Sequence, residues 1–212
     1  MRSDVEQLLS LLRKNSRYQI EGFSDAEIDS LSRYYELVLK WNERLSLTTL
    51  TQPSEFLDRH IMESVFAESL ILKTVDQVWD IGSGLGVPGI VIAIIRSDLN
   101  VNLVEANLKK SIFLDEAAYS LGLKNVRVIK SRFEALEEIP ARSCLTVRAI
   151  EGMEKMLPEI LKSAASASQI LILGAISLEE KLRGLLNAES QIESLLITGS
   201  DRRFVINIFR ST

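Results

Sequence analysis

The segment Val78-Trp79-Asp80-Ile81-Gly82-Ser83-Gly84-Leu85-Gly86-Val87-Pro88-Gly89 limits the fold of this chain more than any other. An apolar run ends in a carboxylate, three glycines follow at alternate positions, and a proline opens the apolar stretch Ile90–Ile95. That order of residues predicts a strand, a sharp turn and a helix. Glycines this close together let the backbone turn tightly and approach a ligand without interference from Cβ atoms. The helix behind them points free N–H groups and the positive end of its dipole into the crevice. The segment reads as the cradle of a nucleotide-like cofactor.

From Val75 onward the strand–helix pattern repeats. Apolar, β-branched runs at Gln77–Ile81, Val101–Val104, Val126–Ile129, Leu145–Val147 and Ile170–Leu173 alternate with helical stretches at Pro88–Arg96, Lys109–Leu121, Met153–Ala165 and Leu178–Asn187. Such alternation builds βαβ units and a parallel sheet covered on both faces. The last two runs, Ile192–Thr198 and Phe204–Phe209, have only a short polar turn between them and pair antiparallel. This is the strand pattern of a class I, Rossmann-like methyltransferase: an α/β fold with a mostly parallel seven-stranded sheet and an antiparallel C-terminal hairpin.

Upstream the periodicity is helical. Leu8, Leu9, Leu11 and Leu12 mark a first helix. Ser24 and Glu27 form a capping box before Ile28, Leu31, Tyr35, Val38, Leu39 and Leu45. Pro53 suits the first turn of a third helix running through Phe56, Leu57, Ile61, Val65 and Leu70. The division expected is a helical extension, residues 1–74, packed on a domain of residues 75–212.

Bulk properties exclude several classes. A single cysteine, Cys144, rules out a disulfide framework and a multi-cysteine zinc site, and a metal is not expected. The N-terminus carries acids early, unlike a signal peptide, and Ile90–Ile95 is too short to span a bilayer. A cytoplasmic monomer with no membrane contact is expected. Net charge is −4, but residues 96–148 hold nine Lys/Arg against seven Asp/Glu, whereas residues 1–70 hold eight against twelve. A basic surface can thus sit on an acidic protein.

Two cofactors compete for the loop. Gly84 to Gly89 satisfies the dinucleotide spacing G-x-G-x-x-G, and Glu105, ending the next strand, would accept ribose hydroxyls in either case. Asp80 favours S-adenosylmethionine, because it can face that cofactor's cationic end and would repel a pyrophosphate. The run Gly82, Gly84, Gly86 places Gly89 inside the helix, late for a pyrophosphate turn, and no second nucleotide-binding half follows. A dehydrogenase is the lesser reading.

The chain resembles the bacterial 16S ribosomal RNA guanine-N7 methyltransferase family RsmG, also called glucose-inhibited division protein B. The residues that carry this are Trp41-Asn42, Leu47-Thr48, Arg59-His60-Ile61, Glu63-Ser64, the loop Gly82 to Gly89 with Pro88, Lys109-Lys110, Phe113-Leu114, Ser131-Arg132-Phe133-Glu134 and Arg148-Ala149. The resemblance implies cofactor contacts at Gly82, Val87, Phe133, Glu134 and Arg148, with Phe133 and Glu134 beside the adenine and Glu105 on the ribose. It implies 16S ribosomal RNA, or a small-subunit particle, as partner. The chain departs from the family at Ser46 (asparagine is usual), at Glu63-Ser64-Val65 (Asp-Ser-Leu), at Glu105 (aspartate is common) and at Leu173-Gly174 (Lys-Gly).

Guanine N7 keeps a free lone pair at neutral pH, so methylation there needs placement and no general base. A base inside a helix is out of reach, so an exposed or flipped nucleotide is the expected substrate. Candidates for phosphate contacts are Lys109, Lys110, Arg132, Arg148, Arg202 and Arg203. His60, the one histidine, is expected to pack or cap; Trp41 and Trp79 belong to the core, and Cys144 is buried and inert. Methylation of a small molecule or protein, and a cofactor-binding module without turnover, are the alternatives.

Overall fold

The computed structural model describes residues 1–14, 22–136, 139–148, 152–187 and 189–210. Ala149, part of the Arg148-Ala149 motif, lies outside the described residues. Seven strands form one sheet: β1 (Gln77–Ile81), β2 (Asn100–Val104), β3 (Val126–Ile129), β4 (Ser143–Arg148), β5 (Gln169–Gly174), β6 (Ser190–Leu196) and β7 (Phe204–Arg210). Their order is β3-β2-β1-β4-β5-β7-β6. β1 to β5 run parallel, and β7 inserts antiparallel between β5 and β6. The direction of winding reverses between β1 and β4, and at such a switch point the loops leaving the carboxyl ends of the strands part to leave a crevice.

Four strands begin earlier than apolar periodicity suggests, at Asn100, Ser143, Gln169 and Ser190. Gln169 shows why a polar residue can open a core strand. Its side chain accepts from the Leu72 amide at 3.0 Å and donates to the Leu70 carbonyl and to Asn207 Oδ1, both at 2.8 Å. With those groups satisfied, burial is not penalised. Some helices also end earlier than expected, by two residues or more in α7 (Met153–Ser163) and in α8 (Ser177–Arg183), which stops at Gly184.

The first 69 residues carry α1 (Arg2–Arg13), α2 (Asp25–Leu45), α3 (Pro53–Phe56) and α4 (Glu63–Ser69). The Ser24–Glu27 capping box is present, with reciprocal bonds of 2.6 and 3.3 Å. The third helix is not uniform: Leu57–Met62, between α3 and α4, is wound as a π-helix. Two side chains compete there for carbonyls that an α-ladder would use. Arg148 donates to the Arg59 carbonyl at 2.7 Å and Ser64 to the His60 carbonyl at 2.6 Å. Side chains inserted into the ladder are a standard cause of such widening.

These helices bury their apolar faces against one side of the sheet domain. Leu8, Leu31, Tyr35, Phe56 and Ile61 share a single cluster with Ile90, Leu103, Phe113 and Leu114. Ile90 lies on α5 (Gly89–Ile95), and Phe113 and Leu114 lie on α6 (Leu108–Leu121). Trp41 joins by its edge against Phe113, with ring centroids 5.8 Å apart. Trp79 packs against a second cluster on the other face of the sheet, and Cys144 is fully buried, with burial pushing its thiol pKa up.

One polar bond ties α2 to the glycine segment. Tyr34, wholly buried, donates its hydroxyl to the Leu85 carbonyl at 2.6 Å. Tyr34→Phe leaves that carbonyl without its donor at a cost of about 1–3 kcal/mol. Thermal melts should show the loss, and calorimetry should show weaker cofactor binding than in the core variant Leu12→Ala, whose truncation leaves the loop bond intact.

Candidate active site

The glycine segment lies at the carboxyl end of β1, and its backbone donors point inward. Gly82 and Ser83 both donate to the Val104 carbonyl (2.9 and 3.1 Å), Gly86 to Ser83 (2.6 Å) and Gly84 to Glu105 Oε2 (2.8 Å). A pyrophosphate cradle needs such amides aimed at the ligand. Here those four are already used, which weakens the support for a dinucleotide. Two glycines are required for packing. Gly86 adopts φ +96° and a side chain there would strike Ile90 and Leu114; one at Gly89 would strike Leu103 and Asp80.

Beside the loop lies a cavity of about 540 Å³, lined by Ile81, Gly82, Gly84, Val104, Glu105, Lys110, Ser131, Arg132, Phe133, Glu134 and Met156, among others. Glu105 bridges its two walls: besides Gly84, its carboxylate accepts the Asn107 amide at 2.7 Å. Asn107 caps α6 through its side chain, taking the amides of Lys109 (3.0 Å) and Lys110 (3.2 Å). A carboxylate so fixed retains lone pairs for sugar hydroxyls.

Asp80 lies under this loop, almost wholly buried. Thr146 donates to its Oδ1 at 2.8 Å, while Oδ2 rests against the backbone of Gly89 without a well-formed hydrogen bond among the described residues. Burial pushes its pKa up to about 6, opposed by the Thr146 bond. A buried carboxylate incompletely satisfied by protein groups favours a cation nearby. The residues fit S-adenosylmethionine: a carboxylate for the ribose, Phe133 and Met156 as apolar walls for a base, and Asp80 to complement positive charge.

A second cavity, also about 540 Å³, opens at the carboxyl ends of β4 and β5. Arg148 ends β4, and its guanidinium lines this cavity and not the first. It donates to Glu63 Oε2 at 3.0 Å, to the Arg59 carbonyl, and to His60 Nδ1 at 3.1 Å. A guanidinium only donates, so Nδ1 accepts and the proton sits on Nε2, 2.9 Å from Thr48 Oγ1. Burial, then the charges of Arg148 and Arg59, hold the His60 pKa down at about 3, so the ring is neutral. Glu63 also binds Arg59 at 2.8 Å and pairs with Arg203. Burial and repulsion from Arg59 lower the Arg148 pKa to about 10.

Of the residues expected to hold a cofactor, Gly82, Gly84, Glu105, Phe133 and Glu134 surround the first cavity. Asp80 and Val87 are buried beneath it, Gly86 shapes the turn, and Arg148 stands at the second cavity. Of the candidate phosphate contacts, Lys110 and Arg132 rim the first cavity, and Arg148 and Arg203 line the second. Lys109 and Arg202 are exposed and line neither cavity; Arg202 lies 3.4 Å from Asp201. Sequence reasoning left Arg59 and Glu63 out of the site. Their i, i+4 spacing was the available signal, but it marks countless ordinary helix surfaces.

Two substitutions test this geometry. Glu63→Gln removes the carboxylate that pairs with all three guanidiniums; breaking a buried pair of this kind costs about 3 kcal/mol or more, read as a lowered denaturation midpoint. For Asp80 the sign follows from its raised pKa. The folded state holds the proton more tightly than the unfolded chain, so its contribution is most favourable below pH 3.8 and is lost as pH rises through about 6. Asp80→Asn should therefore gain melting temperature relative to the wild type between about pH 4.5 and about pH 7, while binding S-adenosylmethionine more weakly. A constant difference across that range would contradict the assignment.

The family model described as rRNA small subunit methyltransferase G matches residues 27–198. A ribosomal RNA small subunit methyltransferase G of Xanthomonas euvesicatoria pv. vesicatoria is 40% identical over 135 residues, covering 64% of this chain and 63% of that protein. One from Stenotrophomonas maltophilia is 39% identical over 132 residues, covering 62% and 61%. Each match thus takes in less than two thirds of the relative's length. Among solved structures, a putative O-methyltransferase from Klebsiella pneumoniae superimposes with TM-score 0.65 at 14% identity, covering 98% of this chain and 99% of that one. A SAM dependent methyltransferase from Aquifex aeolicus gives 0.57 at 15% identity, covering 78% and 97%. These likenesses show the class I methyltransferase fold. With the family model spanning most of the sequence, the chain belongs to the rRNA small subunit methyltransferase G family.

Proposed function

We propose that this protein transfers a methyl group from S-adenosylmethionine to N7 of a guanosine in 16S ribosomal RNA, as a cytoplasmic monomer. The observation that carries the reading is the pair of cavities at the switch point. One is suited to an adenosine, and the other is lined by guanidiniums. Ile81 at the end of β1 and Val147 near the end of β4 are register partners, so the two cavities flank adjacent strands. Family membership supports the substrate class. On this reading residues 1–74 and 75–212 act as one unit, because the helical segment supplies Arg59 and Glu63.

S-adenosylmethionine supplies a methyl group made electrophilic by its bond to a sulfonium. The guanine N7 lone pair forms the new bond, and the pair from the broken carbon–sulfur bond stays on sulfur, so positive charge passes to the base. No proton moves. His60 is unsuited to being a base, since both of its ring nitrogens are committed. The protein's task is to set N7 in line with the methyl group in a site shielded from water. Glu105, Phe133 and Glu134 would hold the adenosine, Asp80 would balance the sulfonium, and Lys109, Lys110, Arg132 and Arg202 would meet phosphates around the opening.

The test is incubation with labelled S-adenosylmethionine and small-subunit particles, or their naked RNA, from cells lacking this modification. The expected product is 7-methylguanosine on nucleoside mass spectrometry. Label in protein or small molecules only, or methylation at another atom, would overturn the reading. In the same assay Glu105→Ala should raise the KM for S-adenosylmethionine roughly tenfold or more, corresponding to a lost charge-assisted contact of about 1.5–3 kcal/mol.

A further inference from the structure

The second cavity holds more positive charge than its own carboxylates neutralise. Arg59, Arg148, Lys155 and Arg203 line it against Glu63 and Glu154, and Glu154 is paired with Lys181, which lies outside the lining. Glu63 pairs with three guanidiniums, those of Arg59, Arg148 and Arg203. It is 4% exposed and Arg148 11%, so water screens this cluster poorly. The lowered pKa of Arg148 has the same origin, burial followed by repulsion from Arg59. Such a cluster gains when an anion enters.

The remaining walls define the shape of that anion. Gly152, Met153, Glu154 and Lys155, at the N-terminal end of α7, bring the positive end of an 11-residue helix to the cavity. Leu173, Gly174, Leu178 and Ile197 form an apolar side. A space of about 540 Å³ with one cationic and one apolar wall matches a nucleotide, phosphate toward the arginines and base or sugar toward the leucines. Arg203 arrives from the β6–β7 turn, one residue before Phe204, which is the register partner of Gly174.

We propose that this cavity is a phosphate site for the RNA backbone beside the target guanosine, with Arg203 and Arg59 as its contacts and Glu63 as the post that holds the guanidiniums in place. The inference rests on the reading of RNA as substrate. It makes the helical segment part of the substrate site, because Arg59 and Glu63 come from it and Arg203 from the opposite end of the chain.

The probes are guanosine 5′-monophosphate, guanosine and inorganic phosphate, titrated into the full-length protein saturated with S-adenosylhomocysteine. The monophosphate should bind at least tenfold more tightly than guanosine, and phosphate should compete with it. Arg203→Gln should bring the monophosphate down to the affinity of guanosine, and Arg203→Lys should keep much of the difference. S-adenosylhomocysteine affinity should stay unchanged in both. Arg59→Gln, at a position 40% exposed, gives the same readout if Arg203→Gln fails to fold. Binding of 16S ribosomal RNA to Arg203→Gln should lose about one unit of salt dependence.

Equal binding of monophosphate and guanosine, or a preference that survives both glutamine variants, overturns the site. So does a glutamate-rich peptide that binds more tightly than the monophosphate, which would assign the cavity to an acidic protein. Methylation of ribosomal RNA by a wild type lacking the phosphate preference sinks this site alone. A phosphate preference without any RNA methylation sinks the RNA reading, and with it the RNA as the source of the phosphate.

Discussion

The carboxylate of Glu63 is the point through which the parts of this molecule are joined. Arg59 reaches it along its own helix, Arg148 from the end of β4, and Arg203 from the turn before β7. Three segments far apart in sequence therefore share one counter-charge. Desolvating four ionised groups is costly, and the Coulomb term repays it only when geometry and hydrogen bonds are good. The local winding serves that geometry. An α-helical ladder would use the Arg59 and His60 carbonyls, and the π-helix leaves them to Arg148 and Ser64.

From the same cluster a line of hydrogen bonds runs back to the N-terminal helices. Asn42, near the end of α2, closes a turn by donating to the Thr48 carbonyl at 2.8 Å and accepting its amide at 2.9 Å. His60 donates from Nε2 to the Thr48 hydroxyl oxygen and accepts from Arg148 at Nδ1. A protonated imidazole could not accept, so the line depends on the ring staying neutral, which burial and the neighbouring arginines enforce. Histidine here is a fixed acceptor and not a proton carrier. Tyr34 makes the parallel connection from α2 to Leu85, so the helical segment lines the second cavity and is bonded to the loop beside the first.

Much of this arrangement was legible in the amino-acid order, and the rest was not, for identifiable reasons. Strand–helix alternation and the short final turn specify the sheet because period and loop length are local signals. The glycine positions and Glu105 are legible because a turn and a strand end demand particular residue types. The strand start at Gln169 was missed because its burial depends on remote partners, Leu70 and Asn207. The π-helical winding was missed for the same reason: its cause is Arg148, distant in sequence. Arg148 itself is the sharpest case. Its place at a strand end beside the crevice is readable, but the cavity it faces is decided by Glu63 and His60, and no spacing rule links them.

The inward-facing amides of the glycine loop decide how the two cavities divide their work. A loop that spends four of its N–H groups on Val104, Ser83 and Glu105 has few left for an anion. Beneath it, Asp80 makes the field negative, and beside it Glu105 and Glu134 do the same. Anionic groups are therefore disfavoured at the carboxyl ends of β1 and β2, although Lys110 and Arg132 stand at the rim. Across the switch point the balance is reversed, with guanidiniums at the ends of β4 and β5. A cationic cofactor and an anionic polymer would thus be sorted onto adjacent strands by the sign of the local field. In a reaction that needs alignment and no proton transfer, that sorting is a large share of what the protein has to provide.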